Sequence, residues 1–339
     1  MEMTAPKYVI GDGLITEFNI ICAAFILLVG IPGIFVNVIT LIMLRTIPSF
    51  KNSFGSLCSS RCVSNLIFVT VMVLMTAIPG LYQPVHLSYF LSARMGQIIM
   101  LTNHSTMISH VIIAINRMMA LFWTSSVTRV FNSNWLYVII GIQWLIPVIY
   151  VVPFSFDWLE CNFLFVTVTI FDVSFSMYKE NSCTNMMSKI DFYLQVFDCT
   201  LLVILNSTAF LNLMFRHKEV NKVTDRFQKK KIRTRNIRFF AQEAIHASLF
   251  VFDFMNYAFI FPHVKGYPFL KFLFGDGLWV FVFAVDSIIL VAFNSEMRIW
   301  VRRHIFRSKN IGVTVPVNIP SSRNVSNVSI TVQAATQFH

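Results

Sequence analysis

From Phe18 to Leu44 the chain reads FNIICAAFILLVGIPGIFVNVITLIML, without one Asp, Glu, Lys or Arg, and then turns polar at Arg45. A helix rises about 1.5 Å per residue and the hydrocarbon core of a bilayer is about 30 Å thick, so roughly 20 such residues are enough to cross it. Backbone amides and carbonyls find no water there, and a helix is the conformation in which one isolated segment satisfies its own. This stretch therefore reads as a membrane-spanning helix.

Working outward, six further stretches have the same character: Phe54 to Pro79, Ala93 to Trp123, Trp135 to Phe156, Ile190 to Phe215, Ile237 to His263 and Phe269 to Phe293. The composition agrees. Hydrophobic residues make up 56% of the chain and charged ones only 13%, against about 25% charged in an ordinary soluble domain. The predicted fold class is an all-α membrane protein, a seven-transmembrane helix bundle.

Net charge is +11, but the basic residues cluster between apolar stretches and do not form a stripe through a soluble fold, so nucleic acid is not an expected partner. The charges orient the bundle. With the N-terminus outside and the C-terminus in the cytoplasm, only Lys7, Arg94, Lys179, Lys189, Lys265 and Lys271 of the 27 Lys and Arg lie outside, as the positive-inside rule requires. Residues 1–17 become an extracellular N-terminus without the plan of a cleavable signal. Residues 18–307 form the helical domain, and 308–339 a polar cytoplasmic tail expected to be disordered. Arg298, Trp300, Arg302, Arg303, Phe306 and Arg307 suit a short amphipathic helix at the lipid surface after the seventh span.

Polar residues inside the spans carry the specific information. Asn37, Asn65, Arg117 and Trp144 follow one another at the intervals of the rhodopsin-like receptors without an insertion. More narrowly, Gly33-Ile-Phe-Val-Asn37, Ser53-Phe-Gly-Ser-Leu-Cys58, Ile115-Asn116-Arg117 and Phe293-Asn294-Ser-Glu296 resemble the Srx class of nematode serpentine chemoreceptors. That resemblance implies a G-protein-coupled chemosensory receptor at the plasma membrane of a sensory cell, with a heterotrimeric G protein and a small-molecule ligand as partners. It implies neither a cofactor nor a metal. Arg117 and Asn116 would take part in coupling, with Lys229, Lys230, Lys231 and Arg233 of the basic third inner loop. Asn37, Asn65, Trp144 and Asn294 would tie helices together.

Departures from the broader rhodopsin-like pattern shape further expectations. Asn116 stands where an acid usually precedes the arginine, so the ion pair of the resting state is expected to be missing. Asn65 replaces the usual aspartate, which removes the carboxylate of the sodium site. No cysteine lies at the outer end of the third span, so the usual bridge of the family cannot form. Cys161 and Cys183 share the outer loop on the oxidising side, where they either pair with each other or stay as two free thiols.

Ionisable groups at membrane depth are costly and mark functional sites by default. Asp198, Asp253 and Asp276 fall in the outer half, with Ile99, Asn103, Tyr193, Gln195, Asn256 and Tyr257 at comparable depth. They either line a ligand pocket or pair with one another and His104 as interhelical ties. Ile99 stands where amine receptors carry aspartate, and no lysine lies at mid-membrane in the seventh span for a retinal Schiff base. Glu243 lies near the inner face, and Asp286 in the seventh span. His104, His110 and His246 read as scattered, and no catalytic motif is present. The rival class is a seven-helix transporter or channel, which favours internal repeats; none is visible.

Overall fold

The computed structural model describes residues 17–78, 81, 89–122, 129–131, 133–156, 161, 166–168, 170–172, 182–220, 226–264 and 267–306. The readings of residues 1–16 and of the 308–339 tail lie outside the described residues.

Among the described residues, seven helical stretches are long and apolar enough to cross a membrane, the seventh running from Phe269 to Phe293. They are α1 (Glu17–Thr46), α2 (Ser53–Met72), α3 (Tyr89–Phe122), α4 (Ser133–Val151), α5 (Ser182–Val220), α6 (Arg226–Met255) and α7 (Leu278–Phe293). The last is entered through a helical turn, Pro268–Phe272, and a π turn, Leu273–Gly277. An eighth helix, α8 (Ser295–His304), follows at once. Asn294 is extended and caps α8, its side chain accepting from Glu296 N at 3.0 Å and Met297 N at 3.4 Å. An extended cap breaks the i to i+4 ladder, which is why α7 stops there and the chain turns. Between α4 and α5 two short strands, Val166–Val168 and Ile170–Asp172, pair antiparallel.

The bundle is apolar outside and partly polar inside, the reverse of a soluble domain. Leu28, Phe35, Ile149 and Phe197 are each more than half exposed, a surface that suits lipid and not water. Inside, Phe68 of α2 stacks on Phe283 of α7 at 3.8 Å between ring centroids, in a cluster with Cys22, Ile26, Met72, Ile99 and Phe272. Close approach of α1 to α7 depends on Gly33, where an added Cβ would come within 2.6 Å of the Ala284 Cβ. Gly55 in the first turn of α2 has a tighter reason, since a Cβ there would lie 1.8 Å from the Phe50 carbonyl oxygen.

Candidate functional site

The cluster with the greatest electrostatic consequence is built on Asp286, which α7 turns into the bundle so that only 1% of it is exposed. Arg61 of α2, fully buried, places Nε 3.1 Å from Asp286 Oδ2. On the next turn of α2, Asn65 donates from Nδ2 to the same oxygen at 2.7 Å. His246 Nδ1 of α6 lies 2.6 Å from Oδ1, and His110 Nε2 of α3 lies 3.4 Å from it. Four nitrogens thus stand within 3.4 Å of the carboxylate, Asn65 as a hydrogen bond and Arg61, His110 and His246 as charge contacts. An unpaired buried carboxylate costs several kcal/mol; pairing with additional hydrogen bonds is the arrangement that offsets this.

Neutral partners extend the cluster toward α1. Thr106 Oγ1 donates to Asn65 Oδ1 at 3.0 Å. Ser287 donates to Asn37 Oδ1 at 2.7 Å, and Asn37 Nδ2 donates to the Gly33 carbonyl at 2.9 Å. Trp144 Nε1 donates to Ser60 Oγ at 2.9 Å, joining α4 to α2.

Two sequence expectations are corrected here. Arg61 was counted with the inner basic residues but is a fully buried intramembrane charge. His110 and His246 are not scattered, since their rings lie 5.4 Å apart. Beside Asn65, which stands in place of the usual aspartate, the carboxylate is that of Asp286 on α7. The signal that would have found Arg61 was in the sequence: one arginine well inside an apolar span, which has to find a partner there.

Toward the end of the bundle that holds the end of α3, Arg117 Nη2 lies 3.3 Å from Glu243 Oε1 of α6. The guanidinium also sits 4.5 Å from the centroid of the Phe54 ring, a cation–π contact. The expected absence of an ion pair at Arg117 is therefore corrected. Asn116, itself buried, has no charge to offer, and the carboxylate comes from another helix. Glu243 and His246 lie three residues apart on α6 and so share a face. One face of α6 thus holds both the Arg117 contact and the Asp286 contact. Lys229, Lys230, Lys231 and Arg233 lie in the first part of α6, with side chains outside the described residues.

At the opposite end, Cys161 and Cys183 form a disulfide with 5.3 Å between Cα atoms. It packs with Met100, Tyr150, Phe154 and Trp279. Below it, His104 Nε2 of α3 meets Asp191 Oδ1 of α5 at 3.0 Å, and Gln195 donates to Asp191 Oδ2 at 2.8 Å. Asp191 is not among the residues expected from the sequence, although a carboxylate one helical turn before Gln195 is its signal. Trp279 Nε1 donates to Asn103 Oδ1 at 3.2 Å, and Asn256 Nδ2 to the Phe274 carbonyl. Asp198 and Asp276 are buried, Asp253 half-buried, and Ile99 lies fully in the core. Tyr193 is 69% exposed and Tyr257 40% exposed, so both lie at the margin of this group, Tyr257 within electrostatic reach of Asp191. An aromatic series, Trp279, Phe68, Phe283, Phe250 and His110, runs from this end to the Asp286 cluster, with successive centroids 5.0, 3.8, 5.9 and 4.5 Å apart.

A family model described as "Serpentine type 7TM GPCR chemoreceptor Srx" matches residues 27–294. The chain is 25% identical over 314 residues to Serpentine receptor class X 45 of Caenorhabditis elegans, an alignment covering 85% of this chain and 82% of that one. The crystal structure of squid rhodopsin superposes with a TM-score of 0.68 at 14% identity, covering 85% of this chain and 80% of that one. At that identity the likeness is one of fold.

Proposed function

Given that the chain belongs to the Srx family of serpentine seven-transmembrane chemoreceptors, we propose that it binds a small-molecule ligand at the disulfide end of the bundle and signals to a heterotrimeric G protein from the Arg117 end. It is a multi-pass plasma-membrane receptor of a non-enzymatic family. The distribution of Lys and Arg supports an orientation with the N-terminus outside and α8 in the cytoplasm.

The Arg117–Glu243 contact carries this reading. It closes α6 against α3 at the end where a G protein would enter. A ligand that favours a conformer without the contact shifts the population toward an open inner face by the ratio of its affinities for the two conformers. Asn116, Arg117, Lys229, Lys230, Lys231 and Arg233 are assigned to coupling. Asn103, Gln195, Asp198, Asp253, Asn256 and Asp276, with Ile99 in the wall behind them, are assigned to the ligand end. Tyr193 and Tyr257 contribute from its rim.

The test is expression with a promiscuous G protein and a screen of volatile and water-soluble metabolites. A ligand-dependent response that Arg117→Ala removes at equal surface level is expected; a ligand response unchanged in that variant would overturn the coupling assignment.

A further inference from the structure

Asp253 of α6 meets no positive charge that the membrane part of the bundle provides. No Lys or Arg occurs in 95–116, 190–215, 239–264 or 272–297, the membrane parts of α3, α5, α6 and α7. His104, the imidazole at this depth, is taken by Asp191 at 3.0 Å. Asp198 of α5 and Asp253 of α6 therefore stand without an ion pair among the described residues. Carboxylates at membrane depth are costly and call for a counterion.

Two contacts fix where Asp253 points. One turn before it, Phe250 lies against Phe283 of α7, with ring centroids 5.9 Å apart. One turn after it, Asn256 Nδ2 donates to the Phe274 carbonyl at the entrance to α7. Residues three apart on a helix share a face, so Asp253 is turned toward the stretch between Phe274 and Phe283, where Trp279 stands. Asp253 lies deep in the protein mass yet keeps part of its surface open, and Trp279 is also only partly covered. A group surrounded by helices whose surface is still open lines an internal space. Asn256 adds an independent sign. It is 1% exposed, and its Oδ1 is buried without a hydrogen-bond partner, an acceptor in want of a donor.

We propose that Asp253 is the counterion of a small organic ammonium ligand, which it holds between α6 and α7 against the Trp279 ring, with Asn256 Oδ1 as a second acceptor. An ammonium supplies what these groups lack together: a positive charge for the carboxylate, an N–H for the amide oxygen and a cation for the indole face. Cys199, next to Asp198 on α5, lies within electrostatic reach of both carboxylates, so Asp198 adds to the negative field that draws a cation in. Phe254, whose ring centroid is 5.7 Å from that of Phe192 of α5, offers apolar wall to the rest of the ligand. Ile99, fully buried on α3, stands where amine receptors carry aspartate. Here the counterion comes from α6, as the Glu243 carboxylate does for Arg117.

The inference rests on the assignment of the ligand to the disulfide end, and its test needs no G protein. Full-length receptor in phosphatidylcholine nanodiscs at neutral pH is titrated with matched pairs that differ only in the polar group: hexylamine with hexanol, isopentylamine with isopentanol, phenethylamine with phenethyl alcohol. The amines are protonated there, and the rise of the thermal midpoint with concentration gives each apparent affinity. At least one amine is expected to bind about tenfold or more tightly than its alcohol, since charge-assisted hydrogen bonds are about twice as strong as neutral ones. Asp253→Asn keeps the shape and should erase the preference, Asp253→Glu should keep most of it, and Asp198→Asn should reduce it by less. Without ligand, the Asp253→Asn midpoint is expected to hold or rise, because an unpaired charge leaves the bundle.

Amines and alcohols binding alike, as they would if Asp253 carried a proton, overturns the proposal. So does a preference that survives Asp253→Asn, or a fall in the ligand-free midpoint of that variant, which would make the carboxylate a tie between helices. Amine binding without any signal would leave this site standing and sink the coupling assignment. A receptor that signals only to neutral metabolites, with no preference for amines, would sink this inference and keep the receptor reading.

Discussion

Arg61 and Asp286 face each other at 3.1 Å between α2 and α7, both essentially inaccessible to solvent. Neither charge is tolerable alone at that depth, and each accounts for the presence of the other. Breaking such a pair by removing one partner costs about 3–5 kcal/mol, whereas replacing both with apolar residues of similar volume is often neutral. Asp286→Asn and Arg61→Met should each lower the thermal midpoint in nanodiscs, and Arg61→Met with Asp286→Leu should recover most of the loss. Equal loss in single and double variants would show that the ion pair is not what the two residues contribute.

Glu243→Gln removes the charge opposite Arg117 while keeping its shape. An ion pair with one partly wet partner contributes about 1 kcal/mol, and that amount changes a two-state ratio about fivefold. Basal signalling per surface receptor should rise by that factor in a reporter assay normalised to a surface epitope. Unchanged basal output would mean that the contact does not restrain the inner face.

The bridge between Cys161 and Cys183 should appear as linked peptides after non-reducing digestion and mass spectrometry. Replacing both by Ser removes a cross-link that typically contributes about 2–4 kcal/mol. The double variant should therefore melt earlier and reach the surface less. Two freely alkylated thiols in folded receptor would refute the pairing in the protein as made.

Orientation is testable without a ligand. An epitope at Met1 should stain intact cells, and one after His339 should stain only after permeabilisation, as the Lys and Arg distribution requires. The opposite pattern would invert the assignment of the two ends.

Close packing of α1 on α7 gives a fourth variant. Gly33→Val places branched carbon where the Ala284 Cβ already stands at 2.6 Å from the nearest added atom. Overpacking of this kind costs about 1–3 kcal/mol, and Gly33→Val with Ala284→Gly should relieve part of it. Thermal midpoints of the three proteins decide the matter.

Much was legible because membrane spans are specified by local composition. Each apolar stretch has to be helical for its own backbone to be satisfied, whatever its neighbours do, so Phe18 to Leu44 declares itself without reference to the rest of the chain. The boundaries moved where helices leave the hydrocarbon: α5 runs from Ser182 to Val220, beyond the Ile190 to Phe215 stretch, because a helix continues past the lipid wherever its residues permit. Cys161 and Cys183 were legible in the same local way, through the compartment they share.

Partners were not local. Asn116 suggested a missing ion pair at Arg117, and Asn65 a missing carboxylate, because a linear pattern shows which residue has departed and not which helix makes up for it. Glu243 and Asp286 stand at other places in the chain, and only the rotation of α6 and α7 about their axes turns them inward. Arg61 illustrates the division. Sequence by itself determined that an arginine within an apolar helix must be paired, since its charge cannot be left in a low-dielectric interior. That the partner is Asp286, and that His110 and His246 close on the same carboxylate, was decided by tertiary structure, because hydrogen bonds and ion pairs act over a few ångströms that only packing can bring about.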